Sequence, residues 1–205
     1  MTDTSQSIPT FSILGPPGCG KGTQAEFIKS DLGFLHVSSG DIFRHALARG
    51  DENAAAAQDL MQRGELVPDE MIKTMVHDEL QDVLREAGKP KGVLLDGFPR
   101  TVGQAEMMDD LLSDLGLYFV GMLNLEVPES LLIERLLKRG QGAEKRPDDN
   151  EDVIRERMRV WKEKTFPLED YYKKHGNLFS FDGVGSPEDV FGRLKPIMVE
   201  NAKLA

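Results

Sequence analysis

The chain has 205 residues, a formal net charge of −10, 40% hydrophobic and 29% charged residues, the balance of a water-soluble protein with one sizeable core. The acidic excess speaks against a nucleic-acid partner, which requires a basic face. A small phosphorylated ligand is still allowed, because it needs only a few cations focused in a cleft. No apolar run approaches the roughly 18 residues that span a membrane, and residues 1–10 lack the basic-then-apolar pattern of a signal peptide. The single cysteine, Cys19, excludes an intrachain disulfide and any cysteine-rich metal site. The expectation is a cytoplasmic protein with no membrane partner.

In chain order, residues 11–14 read as a buried strand and 21–31 as a helix, with 34–37 a weaker strand. Three helical patterns then come without a strand between them, at 41–49, 53–63 and 69–85. Residues 92–95 form the next apolar run, followed by a helix at 102–112 and a strand at 118–125. Helices at 129–138 and 151–174, a strand at 178–181 and a helix at 187–199 complete the pattern. This alternation predicts an α/β fold, a central parallel β-sheet flanked by helices on both faces. The strand-free stretch 41–85 reads as a helical insertion on one side of the sheet, and the polar stretch 140–150 as a mobile loop. Mostly polar helix faces give the expectation of a monomer.

The most informative segment is the first strand together with the turn and helix start after it. Gly15, Gly20 and Lys21 satisfy the G-x-x-x-x-G-K core of a phosphate loop, placed between a buried strand and a helix start. Glycines let the backbone wrap close to phosphate oxygens, so that successive N–H groups of Gly18, Cys19, Gly20, Lys21, Gly22 and Thr23 act as donors. The helix adds its positive dipole end, and Lys21 supplies a compact cation for the β- and γ-phosphates. The hydroxyl residue usual directly after the lysine is here Gly22, with Thr23 one position later. That departure weakens any direct contact of Thr23 with a metal.

A phosphate loop alone leaves the acceptor open among water, protein and small molecule. Three further stretches narrow it. Ser38 and Ser39 open a helix that carries Arg44 one turn on, and Arg100 stands just beyond the carboxyl end of the 92–95 strand, where ligands bind in open α/β sheets. Arg135 and Arg139 lie at i and i+4 on one helix face, and Arg146 and Arg157 come across the polar loop. Six arginines around a phosphate loop suit a second anionic substrate, since the guanidinium fork matches phosphate geometry and stays charged. Asp96 is placed to hold a metal's hydration shell. The four histidines, His36, His45, His77 and His175, lack metal-ligand spacing and read as structural or surface residues, and Trp161 reads as a packing residue.

With the motifs G-P-P-G-C-G-K-G-T, S-G-D-I-F-R, D-G-F-P-R-T-V-G-Q-A and R-P-D-D-N, the sequence resembles the nucleoside monophosphate kinases, the adenylate kinases most closely, from Phe11 to about Leu194. The resemblance implies one kinase domain, with a core of residues 10–37, 68–138 and 150–205, a monophosphate-binding region at 38–67 and a short lid at 139–149. It implies transfer of the γ-phosphate of ATP to AMP. Lys21, Arg135, Arg139 and Arg146 would line the triphosphate and the transferred group. Arg44, Arg100 and Arg157 would hold the monophosphate, and Arg146 would reach it too. Ser39, Glu65, Leu66, Val67, Gly97, Phe98 and Pro99 would line that site, with Gln104 reading the base. A Phe98–Pro99 cis bond in a tight turn is compatible with this segment. Mg²⁺ would enter as MgATP, touched by Asp96 through water, and a lid this short and free of cysteine holds no structural zinc. UMP/CMP kinases share most of these motifs. Ser39 keeps a hydroxyl where the pyrimidine enzymes tend to carry alanine, and Thr101 with Gln104 follows the adenylate pattern, so the acceptor expected is AMP. A P-loop switch is the reading from another class, but it would want a residue that orients attacking water rather than this arginine set.

Overall fold

Five strands, β1 (Ile8–Leu14), β2 (Leu35–Ser38), β3 (Val93–Asp96), β4 (Leu117–Glu126) and β5 (Leu178–Asp182), build one sheet in the order β2-β3-β1-β4-β5. Every neighbouring pair is parallel. The structure is a computed structural model that describes residues 7–50, 52–88, 90–139 and 151–203. All five expected strands are present, each within a few residues of its predicted span. The α/β fold with helices on both faces is as the alternation implied.

Strand side chains alternate between faces, and this sorts the core. Phe11, Ile13, Leu94 and Leu123 pack with Ala25 and Ile28 of the first helical segment and with Val190, Leu194 and Met198 near the chain's end. Val93, Leu95 and Leu117 face the other way, against Ile42, Ile72, Val76, Leu80, Leu111 and Leu112. Burying a Leu- or Ile-sized side chain contributes about 1.5–3 kcal/mol, so this two-sided burial is what holds the sheet between its helices.

Those helices are α1 (Lys21–Phe27), α2 (Ser39–Ala48), α3 (Glu52–Gln62), α4 (Asp69–Ala87), α5 (Val102–Glu106), α6 (Met108–Ser113), α7 (Glu129–Arg139), α8 (Glu151–Val160), α9 (Pro167–Lys174) and α10 (Pro187–Asn201). Three expectations are corrected. The helix expected at 102–112 is two, α5 and α6, meeting at Met107. The one at 151–174 is interrupted by a π-helical turn, Trp161–Thr165, and α1 ends in another, Ile28–Leu32. Caps agree with the sequence: Ser38 accepts from the Asp41 N–H, Thr101 from the Gln104 N–H, and Ser186 forms a capping box with Asp189. The insertion α2–α4 lies beside the β2–β3 edge. The loop expected at 140–150, and with it Arg146 and most of the short lid, lies outside the described residues. No helix among the described residues is long and apolar enough to cross a membrane.

Candidate active site

The carboxyl ends of all five parallel strands open on one side of the sheet. The chain runs from β1 to β2, back to β3, and then across β1 to β4. The strand order therefore reverses beside β1, and a crevice opens past its end.

The loop leaving β1 fills that point. Gly18 (φ +84°) and Gly20 (φ +106°) adopt left-handed conformations that side chains rarely tolerate. Gly18 is also pressed against α7, since a Cβ there would lie 2.7 Å from Leu136 Cγ. The Cys19 side chain is buried, so only its backbone is offered to the crevice side, and its carbonyl accepts from Arg135 Nη1 at 3.1 Å. Arg135 Nη2 donates to Gly183, just beyond β5, at 3.4 Å. The guanidinium thus ties the loop to the end of β5, two strands away in the sheet. The Lys21 ammonium folds back over the loop and donates to the Gly15 carbonyl at 2.7 Å and to that of Pro16 at 3.2 Å. Gly22 lies within the first turn of α1, and a side chain there would meet nothing within 4 Å.

Asp96 ends β3, next to β1. Burial alone would raise its pKa, but the His36 ring, the Lys21 ammonium and the Arg100 guanidinium together hold the carboxyl below its ordinary value. It is a carboxylate at neutral pH. His36 Nε2 stands 3.5 Å from Asp96 Oδ2, which makes this histidine part of the site's electrostatics as well as structural.

Beyond Asp96 the chain turns sharply through Gly97 and a cis Phe98–Pro99 bond, as the sequence allowed. Ser12, buried on β1, donates to the Phe98 carbonyl at 2.5 Å and so anchors this turn to the sheet. The turn delivers Arg100 into an open cleft lined by Ser39, Gly40, Phe43, Met61, Glu65, Leu66, Val67, Ile72, Gly97, Arg100 and Gln104. Arg100 Nε donates to the Gly97 carbonyl at 2.8 Å, Ser39 Oγ donates to the same carbonyl at 2.8 Å, and Arg100 Nη2 reaches Ser39 Oγ at 3.4 Å. Burial, and then the charge of Arg157, push the Arg100 pKa down against the pull of Asp96. Two guanidinium groups that act on one another, beside one mostly buried carboxylate, make a positive focus suited to a dianionic phosphate.

Most of the expected monophosphate residues are gathered here: Ser39, Glu65, Leu66, Val67, Gly97, Arg100 and Gln104 line the cleft, with Phe98 and Pro99 forming its supporting turn. Arg157, on α8, packs over Gly64, where a Cβ would lie 3.0 Å from Arg157 Cγ. Arg44 folds along the first turn of α2 against Gly40 and pairs with Asp41. Its neighbour lines the cleft, while Arg44 itself is engaged at the rim. Arg139 closes α7, but its side chain lies outside what is described. The sequence implies a Gln104 whose amide offers the base a donor and an acceptor; in the structure its Oε1 accepts from the Arg100 N–H at 2.6 Å and its Nε2 donates to Asp69 at 2.7 Å. One N–H and one lone pair remain. Of the residues that sequence reasoning did not assign to the site, Phe43 sits inside the S-G-D-I-F-R motif, whereas Asp69, Ser12, Met61 and Ile72 carry no motif; only the Leu-Val-Pro-Asp stretch before α4 marks Asp69 as a helix start.

The sequence matches the adenylate kinase family over residues 13–177. The chain belongs to the adenylate kinase family. It is therefore a phosphotransferase, of the P-loop kinase fold. Similar members include the adenylate kinase of Thermus thermophilus, 44% identical over 183 residues that cover 89% of this chain and 93% of the relative. The adenylate kinase of Deinococcus radiodurans is 42% identical over 199 residues, covering 95% and 98%. That of Thermobifida fusca is 46% identical over 181 residues, covering 88% and 93%. In this member of the family the glycine loop bearing Lys21 and the cleft bearing Arg100 both lie at the carboxyl edge of one sheet.

Proposed function

We propose that this protein reversibly transfers the γ-phosphoryl group of ATP to AMP, giving two ADP. The observation that carries the reading is the pairing of a phosphate loop bearing Lys21 with a second cleft, one strand away, lined by Arg100, Ser39 and Gln104. Phosphoryl transfer asks for alignment and charge neutralisation more than for covalent help. In this reading the N–H groups of Gly18, Cys19, Gly20, Lys21, Gly22 and Thr23 cradle the ATP phosphates. Lys21, Arg135, Arg139 and Arg146 neutralise them and the group in flight. Arg100, Arg157 and Arg44 hold the monophosphate, with Arg146 reaching it as well. Residues 38–67 act as the monophosphate-binding region, and the backbone of Glu65, Leu66 and Val67 completes its wall. Mg²⁺ would arrive bound to the ATP phosphates and would screen their charge. The ionised Asp96, beside Lys21, fits the task of orienting water on that ion.

Rates with AMP, CMP and UMP as acceptors, at saturating ATP and Mg²⁺, test the reading. The expected result is a kcat/KM for AMP well above both pyrimidines. A clear preference for UMP or CMP overturns it, as does phosphate release from ATP that is equally fast without an acceptor.

A further inference from the structure

Gln104 does not present a freely rotating amide to the cleft. Turning it by 180° would set its NH₂ against the Arg100 N–H, now 2.6 Å from the oxygen, and its oxygen against the Asp69 carboxylate, now 2.7 Å from the nitrogen. Donor would face donor and acceptor would face acceptor, so one orientation survives. Asp69 is itself held in place. Thr101 Oγ1 donates to its Oδ2 at 3.2 Å, and that oxygen lies 3.1 Å from where a Cβ on Gly103 would stand. As the first residue of α4 it also sits at the positive end of a helix. The remaining N–H and the remaining lone pair of Gln104 therefore come in a fixed order.

That order has a chemical meaning. The Watson–Crick edge of a 6-aminopurine offers a donor at N6 beside an acceptor at N1. A 6-oxopurine offers the reverse, an acceptor at O6 beside a donor at N1. A freely turning glutamine would satisfy both, whereas a locked one satisfies one and leaves the other with unpaired groups, the kind of mismatch that discriminates strongly. We propose that Asp69 is a positioning residue that fixes the polarity of the Gln104 amide and thereby makes the cleft select a 6-aminopurine monophosphate over a 6-oxopurine one. The proposal rests on the reading that Gln104 faces the acceptor base.

The test compares kcat/KM for AMP and for IMP, with KM for ATP and the melting temperature, in the wild type, Asp69→Ala, Asp69→Asn and Gln104→Ala. Asparagine keeps an oxygen that accepts from Gln104, so it should rescue what alanine loses. In Asp69→Ala the KM for AMP should rise about five- to tenfold, the cost of one hydrogen bond, and the AMP-to-IMP ratio should narrow by about tenfold. KM for ATP should hold. Asp69→Asn should stay within about threefold of the wild type on every measure. If Gln104→Ala narrows the ratio and Asp69→Ala does not, the amide reads the base without needing this lock, and the proposal falls alone. If Gln104→Ala leaves the ratio intact, the base-reading role fails and takes the proposal with it. Parallel losses for AMP and ATP with a lowered melting temperature, unrescued by asparagine, would make Asp69 merely structural and also overturn the proposal.

Discussion

The two halves of the site are made in different ways. The loop between β1 and α1 is a backbone device: its shape comes from glycines in left-handed conformations and a buried Cys19, and in the proposed reading its donors are main-chain N–H groups. The cleft beside it is a side-chain device, assembled from Ser39 on α2, residues 65–67 after α3, Arg100 after β3, Gln104 on α5 and Arg157 on α8. A backbone device is specified by contiguous residues and tolerates change at few of them. A side-chain device depends on distant elements keeping their register, and it fails piecemeal. The sharpest way to break the comparison is to remove one cation from each half. Lys21→Met and Arg100→Met should each lower kcat/KM by about 10²–10³-fold, or roughly 2.7–4 kcal/mol of transition-state stabilisation. Lys21→Met should act mainly on kcat, and Arg100→Met should also raise the KM for AMP. Similar KM effects on both substrates from both variants would mean that the halves are not separate.

The same contrast explains what could be read from the sequence. Gly15, Gly20 and Lys21 are near neighbours in the chain, so the phosphate loop is legible from spacing alone. The five strands are legible because each is an apolar run between turn signals. The cleft is legible only where its residues sit in motifs, as Arg100 and Gln104 do. Asp69 meets Gln104 across 35 positions, and Ser12 meets Phe98 across 86. No local pattern encodes such pairings. His36 lacks metal-ligand spacing, and nothing local gives it a role. Its partner Asp96 lies on the adjacent strand, where the register pairs His36 with Leu94 and Ser38 with Asp96, and only strand pairing brings the two together. The break at Met107 leaves no mark in the sequence, because no glycine or proline stands there to announce a change of helix. The turn at Trp161–Thr165 is followed by Pro167, which opens α9 and is the one local sign of it.

Smaller substitutions sharpen the comparison. Gly18→Ala puts a Cβ into a left-handed residue and 2.7 Å from Leu136 Cγ. It should destabilise the fold by about 1–3 kcal/mol, lowering Tm by about 2–4 °C for each kcal/mol in a chain of this size. A calorimetric scan that shows no loss would mean that the loop is softer than its backbone geometry implies. In the cleft, Ser39→Ala removes one hydrogen bond to the Gly97 carbonyl, which Arg100 Nε still satisfies. The expected cost is about 1 kcal/mol, read as a severalfold rise in the KM for AMP with Tm little changed. A device of backbone should thus answer in stability, and one of side chains in affinity.

The smallest expected effect concerns Asp96, which stands between the two halves and answers to both through Lys21 and Arg100. Its carboxyl is held below the ordinary aspartate value of about 3.9, so the folded state binds the proton less readily than the unfolded chain does. The resulting stabilisation is complete above that ordinary value and is lost as pH falls from there through the lower folded value. Wild-type stability should therefore drop more steeply between about pH 5 and pH 3 than that of Asp96→Asn, which has no proton to take up. Other carboxylates contribute equally to both curves and cancel in the difference. Urea melts at several pH values give that difference directly. Parallel curves would mean that His36, Lys21 and Arg100 do no more than offset burial, and that the charge on Asp96 owes its place to catalysis rather than to the fold.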